Sequence, residues 1–326
     1  MSAHESTGPA RRLLQRQIMP LDRDFDVLAL YVDPEEARLD ADKYEVGGNR
    51  AAKDLNNAAV RQSTSTGRSL HPDQIESRTA LRVPQGEKLS FGTYFNAFPA
   101  SYWRRWSVVD AVRLSVTLRG EGATLLVYKS MARGHAQRVD SAETSGSGAE
   151  TFTFDLSLKP FIDGGWYWYD VVAGDGDVVV ESAEWTAEVP EDRAQHGTTD
   201  IAITTMNRPD FCAELLVQLG EAEELHPFLD TVMVMEQGTD KVTGSEHFAR
   251  AEELLGSTLT VLEQGNLGGS GGYARGQLES VRRGSATYSL MMDDDVVCEP
   301  EGIIRAVTFA DLAKRPTIVG GHMFNI

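Results

Sequence analysis

Tyr288-Ser289-Leu290-Met291-Met292-Asp293-Asp294-Asp295 decides how this chain is read. A short apolar segment runs directly into three adjacent carboxylates. Asp is a poor strand residue, and like charges in a row repel, so the cluster calls for something cationic. A strand sends alternate side chains to opposite sides. Asp293 and Asp295 therefore converge on one side, while Asp294 faces the other. Two hard oxygen donors at a strand end suit Mg²⁺ or Mn²⁺, whose remaining positions are commonly filled by substrate phosphates. Taken alone, the triplet reads equally as a solvated acidic turn.

Outward from the triplet, the rhythm is strand then helix. Ile201–Thr205, Thr231–Met235, Leu259–Leu262 and Thr287–Met292 read as strands, and Thr317–Val319 begins another. Phe211–Leu219, His247–Leu255, Tyr273–Arg282 and Pro300–Ala313 read as helices between them. Such alternation predicts a parallel sheet covered on both faces. Ligands of such sheets sit beyond the carboxyl ends of the strands, and each of these ends carries polar chemistry. Thr205-Met206-Asn207-Arg208-Pro209 offers a guanidinium for a phosphate or a base; a solvated Arg at a helix start is the bland alternative. Glu236-Gln237-Gly238 offers an amide for a base edge or a ribose. Gln264-Gly265-Asn266-Leu267-Gly268-Gly269-Ser270-Gly271-Gly272-Tyr273 lets backbone N–H groups approach a phosphate before a helix N-terminus. The acid triplet completes the set. Together these loops suit a nucleoside diphosphate with a divalent metal. A rival lies in Gly269-x-Gly271-x-x-Ala274, a loose dinucleotide fingerprint with Asp293 about 20 residues on. It would make the protein a nicotinamide-dependent oxidoreductase. Against it, the glycine loop follows the third strand of the unit, and the acidic element is a triplet.

Upstream the texture differs. Val112–Leu118, Thr124–Tyr128, Thr151–Leu156, Trp166–Val171 and Val178–Glu181 alternate with period two, separated by Gly- and Asp-rich turns. This predicts an antiparallel β-sandwich or barrel over residues 81–190. Its aromatic residues belong to a core or line a sugar platform. Residues 1–80 form a polar, partly irregular extension in which Leu28–Val32 is a candidate strand. Val189–Gly197 reads as a linker, and 197–326 as the nucleotide-binding domain.

Composition narrows the function classes. A net charge of -18 over 326 residues lacks the basic footprint of a nonspecific nucleic-acid binder. It also means that a phosphate ligand must be met by local cations or a metal. Cys212 and Cys298 are the only cysteines, which excludes a disulfide framework or a zinc-ligand pattern. The N-terminus has no apolar signal segment, and no run of about 18 apolar residues occurs.

The acid triplet and glycine loop resemble those of the GT-A glycosyltransferases, whose Asp-x-Asp motif holds a dication on a UDP-sugar. Thr93-Tyr94-Phe95-Asn96-Ala97-Phe98-Pro99-Ala100-Ser101-Tyr102-Trp103-Arg104-Arg105-Trp106 narrows the resemblance. So do Pro160–Trp166, Asn266–Tyr273, Met292–Asp295 and, more weakly, Val319–Met323. These stretches are similar to the polymerising galactofuranosyltransferases of mycobacteria and corynebacteria, from about residue 80 onward. The resemblance implies a jelly-roll-like β domain followed by a partial GT-A Rossmann-like domain. It implies UDP-galactofuranose as donor, a polyprenyl-linked galactan of the cell-wall arabinogalactan as acceptor, and an inverting transfer. By motif, Thr205, Arg208, Gln237, Asn266, Gly268, Gly269 and Asp294 would contact the donor, and Asp293 and Asp295 would hold Mn²⁺ or Mg²⁺. It further implies a cytoplasmic protein, peripheral at the inner face of the plasma membrane. The family's catalytic base lies past the acid cluster, so it is expected beyond Ile326, and His322 is not promoted to metal ligand. The chain thus reads as an N-terminal part that holds the donor site. Its open sheet predicts self-association into a homo-oligomer. A noncatalytic carbohydrate-binding module with a degenerate GT-A remnant is the alternative.

Overall fold

Val112, Leu114, Val116 and Leu118 are buried, while the residues between them are not, as alternation along a strand requires. The same pattern recurs through the first half of the chain. A computed structural model describes residues 10–21, 25–33 and 70–324. By internal contacts these fall into two units, Met1–Ala194 with Leu312–Arg315 and Met323–Ile326, and Gln195–Asp311 with Pro316–His322.

The first unit holds β1 (Ala10–Arg16), β2 (Leu81–Val83), β3 (Lys88–Ser90), β4 (Ala111–Arg119), β5 (Thr124–Met131), β6 (Ala136–Glu143), β7 (Ala149–Ser157), β8 (Gly165–Val172) and β9 (Val178–Val189). It also holds the short helices α1 (Phe25–Leu28) and α2 (Ala100–Trp106). One antiparallel sheet runs β1-β9-β4-β7 with β2 also on β9, and the other runs β3-β8-β5-β6. Inward residues of the two sheets meet: Trp185 of β9 stacks on Phe98 at 5.0 Å and on Tyr167 of β8 at 6.2 Å. Among the described residues no strand pairs across the two sheets, which face each other as a β-sandwich.

Two features depart from the sequence reading. The polar segment Ala136–Glu143 is a strand although it lacks apolar alternation. It lies at the sheet's edge, exposed along most of its length, and its backbone ladder to β5 holds it. Leu28–Val32 is not a strand. The amides of Leu30, Tyr31 and Val32 turn back to Val27 and Leu28, and the carbonyl of Tyr31 accepts from Thr93 at 2.8 Å and from Asn96 at 2.7 Å. Asn96, 1% exposed, also exchanges two 2.9 Å bonds with the backbone of Ile18. One side chain thereby satisfies three buried backbone groups.

In the second unit, β10 (Thr199–Thr205), β11 (Leu229–Glu236), β12 (Leu259–Glu263) and β13 (Tyr288–Asp293) form a parallel sheet in the order β12-β11-β10-β13. The helices are α3 (Pro209–Glu221), α4 (Phe248–Leu255), α5 (Gly268–Arg283) and α6 (Pro300–Leu312). Ile201, Ile203, Val232 and Val234 pack with Cys212, Leu215, Leu216 and Leu219 of α3 on one face of the sheet. On the other face, α5 lies directly on β10. A Cβ on Gly272 would stand 2.3 Å from Thr204 Cγ2, and one on Gly276 would stand 2.4 Å from Ala202 Cβ. This corrects the helix start expected at Tyr273. Most of the glycine run is the first turns of α5, and glycine is chosen there for close approach to the strand. Thr317–Val319 forms no strand. Ile318 is 98% exposed, with no neighbouring strand to pair among the described residues.

Replacing Asn96 by Ala strands the buried amide and carbonyl of Ile18 and leaves the Tyr31 carbonyl to Thr93, and each stranded group costs about 1–3 kcal/mol. Urea unfolding of Asn96→Ala should show a midpoint lowered accordingly, with faster amide exchange at Ile18. An unchanged midpoint would contradict this assignment.

Candidate functional site

Parallel pairing places the strand ends side by side. Thr205 pairs with Glu236, Glu236 with Glu263, and Thr204 with Asp293. The four candidate loops therefore leave one edge of the sheet. The chain reverses direction across β10, which has β11 on one side and β13 on the other, and such a switch point opens a crevice.

At the end of β13, Asp293 and Asp295 are exposed and Asp294 is buried, the strand giving way to a turn at Asp294 and Asp295. Each carboxylate has a donor from a different segment. Thr205 at the end of β10 donates to Asp294 at 2.6 Å. Arg208 pairs with Asp295, and the Tyr273 hydroxyl of α5 donates to Asp293. Repulsion within the triplet is thus relieved by one cation and two hydroxyls. Among the described residues, no cluster of three or more His, Cys, Asp or Glu side chains forms a ready-made metal cage.

Gln237 is turned toward the glycine loop, not toward open solvent. Its carbonyl accepts from Leu267 N at 2.7 Å and Gln264 Nε2 at 3.2 Å, and its amide donates to Gly268 O at 3.2 Å. The sequence reading gave this amide to a base or a ribose; here it is engaged in holding the loop. Asn266 accepts from Gly268 N at 3.0 Å. Gly268 has φ +69, in the left-handed region, and a Cβ there would meet nothing within 4 Å. Gly269 is similarly open, its nearest neighbour being Tyr273 Cε2 at 4.0 Å. These two glycines present accessible backbone, whereas Gly271, Gly272 and Gly276 are packed against Leu267, Thr204 and Ala202.

Sequence reasoning did not single out Asn207, Glu236 or Tyr273. Asn207 sits at φ 54 and accepts from Thr239 N at 2.8 Å and Asp240 N at 3.0 Å. A Cβ on Gly238 would stand 2.4 Å from Asn207 Oδ1, so this turn requires glycine. Asn before Arg-Pro was the available signal, since Asn tolerates left-handed backbone. Glu236, 1% exposed, accepts from Val242 N at 2.9 Å and Gly238 N at 3.3 Å. Burial, the hydrogen bond to Asp293 and the carboxylates of Asp293, Asp294 and Asp295 all push the Tyr273 phenol up, so it stays a donor. Burial, with Asp294 and Glu236 adding to it, pushes the Cys212 thiol up to about 12.

The chain is 39% identical over 275 residues to the galactofuranosyltransferase GlfT2 of Mycolicibacterium smegmatis, a match covering 84% of this chain and 42% of that protein. The chain belongs to that family. It is 37% identical over 277 residues to the galactofuranosyltransferase GlfT2 of Mycobacterium tuberculosis, again covering 84% of this chain and 42% of the relative. Residues 52–188 match the family described as Galactofuranosyltransferase 2 N-terminal. The chain therefore spans less than half the length of these relatives. Among solved structures, that of TmCBM61 in complex with β-1,4-galactotriose aligns at 11% identity, covering 53% of this chain and 99% of that one, with a TM-score of 0.26. A likeness that weak bears on neither fold nor ligand.

Removing the Thr205 hydroxyl leaves the buried Asp294 carboxylate short of a donor. Thr205→Val should therefore cost at least about 1–3 kcal/mol in urea unfolding, where a neutral result would refute the pairing. Cys298, like Cys212, is pushed up to about 12 by burial. Both should resist a disulfide reagent at pH 8 until the chain is denatured. In the unfolded chain they ionise near about 8.5. The unfolded state then binds fewer protons between that pH and about 12, and stability should fall across that window. Thiol titration and melts at pH 8–11 check both outcomes.

Proposed function

We propose that this chain carries the donor half of a galactofuranosyltransferase site, which takes UDP-galactofuranose and serves elongation of a lipid-linked galactan in arabinogalactan synthesis. The single observation that supports this most is the meeting of Asp293-Asp294-Asp295, Arg208, Asn266 and the open Gly268-Gly269 backbone at one sheet edge in a member of this family. Asp293 and Asp295 share a side and supply two hard oxygens, a donor set that fits Mn²⁺ or Mg²⁺ completed by phosphate oxygens. When bound, such a dication neutralises the diphosphate as a leaving group. Arg208 is the nearby cation able to receive phosphate charge in a chain of net charge -18. Gly269 offers its backbone N–H at the start of α5, where the helix dipole favours an anion, while the Gly268 N–H is held by Asn266. Gln237 holds that loop in place. Asp294, bound by Thr205, fixes the depth of the triplet below the donor.

The reaction we assign is inverting. The acceptor hydroxyl, deprotonated by a carboxylate base, attacks the anomeric carbon as UDP departs from the opposite face. The base is assigned to none of these residues. Asp293, Asp294, Asp295 and Glu236 each already have a partner at the edge. A nicotinamide site is disfavoured, because the fingerprint position Gly271 is packed inside α5 and α5 follows the edge strand β12. Self-association through the open sheet belongs to the same proposal. So does peripheral attachment at the inner membrane face; among the described residues no helix is long and apolar enough to cross a membrane.

Calorimetry of UDP with and without Mn²⁺ tests the site. UDP should bind more tightly with the metal, and Asp293→Ala with Asp295→Ala should remove that gain, a loss of roughly 10–100-fold or more. UDP affinity that ignores both Mn²⁺ and the double substitution would sink the proposal.

A further inference from the structure

Strand β8 is aromatic on both of its faces. Tyr167 and Tyr169 point into the sandwich and are buried, at 4% and 1% exposed. Trp166 and Trp168 alternate with them and so stand on the outer face of the sheet β3-β8-β5-β6. The strand register adds neighbours to that face. Trp168 lies opposite Tyr128 of β5, Tyr128 opposite Arg138 of β6, and Asp170 opposite Ser90 of β3. The Tyr128 and Trp168 rings are 14° from parallel, with 5.6 Å between their centres. Trp166, Trp168 and Tyr128 are only half-buried, unlike the core rings behind them.

Polar groups are set among these rings. The Lys88 ammonium stands 5.7 Å from the centre of the Tyr128 ring and pairs with Asp170 at 2.7 Å. Ser90 donates to the same carboxylate at 2.6 Å. Arg138 is exposed beside Tyr128. The outer face of an antiparallel sheet ordinarily carries polar side chains, so three large rings together there mark a binding surface. A saccharide matches this mixture. Its C–H face lies flat on an aromatic ring, and the hydroxyls at its edge pair with guanidinium, ammonium and carboxylate groups. Trp166 and Trp168 are two residues apart on one strand, about 7 Å, which suits successive sugar residues of one chain. The charges on the face are of both signs, and Lys88 is already matched to Asp170, which fits a neutral glycan and not a polyanion.

We propose that the outer face of β8 and β5, with Trp166, Trp168 and Tyr128 as its platform and Arg138 and the Lys88–Asp170 pair as its polar groups, binds a stretch of galactan. It rests on the reading of galactan as acceptor, and it gives the chain a second hold on that polymer, built from first-unit residues alone.

The full 326-residue chain is titrated with a soluble galactofuranose oligosaccharide, without UDP or metal, and followed by tryptophan fluorescence and calorimetry. Binding should saturate and change the tryptophan emission. Trp168→Ala should weaken it on the order of tenfold, and Tyr128→Ala and Trp166→Ala should act in the same direction. Arg138→Gln, at an exposed position where folding is not at stake, should weaken it about threefold or more. Arg113→Gln, on the other sheet, should leave it alone. The proposal is overturned if the wild type shows no saturable binding, or if Trp168→Ala and Arg138→Gln bind as the wild type does. It is equally overturned if Asp293→Ala with Asp295→Ala abolishes oligosaccharide binding while the ring variants retain it, which would give the sugar to the sheet edge. UDP calorimetry on the same samples separates the two readings. Intact Mn²⁺-dependent UDP binding without oligosaccharide binding removes only the platform, and oligosaccharide binding that follows the rings without UDP binding removes only the donor site.

Discussion

Three like charges at the end of β13 repel one another, and the carboxyl edge of the parallel sheet is arranged around that repulsion. The turn that ends β13 divides the triplet into one buried and two exposed groups. The buried member, Asp294, takes the Thr205 hydroxyl at 2.6 Å. The exposed members draw Arg208 from the loop after β10 and Tyr273 from α5. Three separate segments thereby meet at one point.

That gathering depends on how α5 is seated. Gly272 and Gly276 bring the helix against Thr204 and Ala202, and this contact carries Tyr273 to the acid cluster and aims the helix start at the strand ends. Gln237, 7% exposed, ties the preceding loop to the end of β11. Glycine is costly within helices, so its repetition on one face of α5 reflects packing that outweighs propensity.

Much of this arrangement is legible in the sequence, because strand and helix periods differ and the second unit alternates between them. β10, β11, β12 and β13 lie within about two residues of where the alternation puts them. The start of α5 was not legible, since a glycine run reads as loop and only the strand beneath it explains a helix. Ala136–Glu143 was hidden for the opposite reason: an edge strand exposed along most of its length needs no apolar face, and the backbone ladder holds it. Leu28–Val32 has strand-like composition, yet Asn96 and Thr93 claim its carbonyl, and neither side chain announces a partner so distant. The four loops of the candidate site were readable as polar punctuation after apolar runs. The partners of Asp293 and Gln237 were not, because they are fixed by helix seating and not by spacing along the chain.

A helix that rests on a strand through glycines keeps only the strand's own short side chains, Thr204 and Ala202, between the two backbones. Side chains act as springs at most helix–sheet contacts, shifting rotamer when one element moves. With that cushion thinned to Thr204 and Ala202, α5 has little room to slide along β10. The point from which the Tyr273 side chain departs is therefore set by close-packed main chain, and only its own rotamer is left to bring the hydroxyl to Asp293.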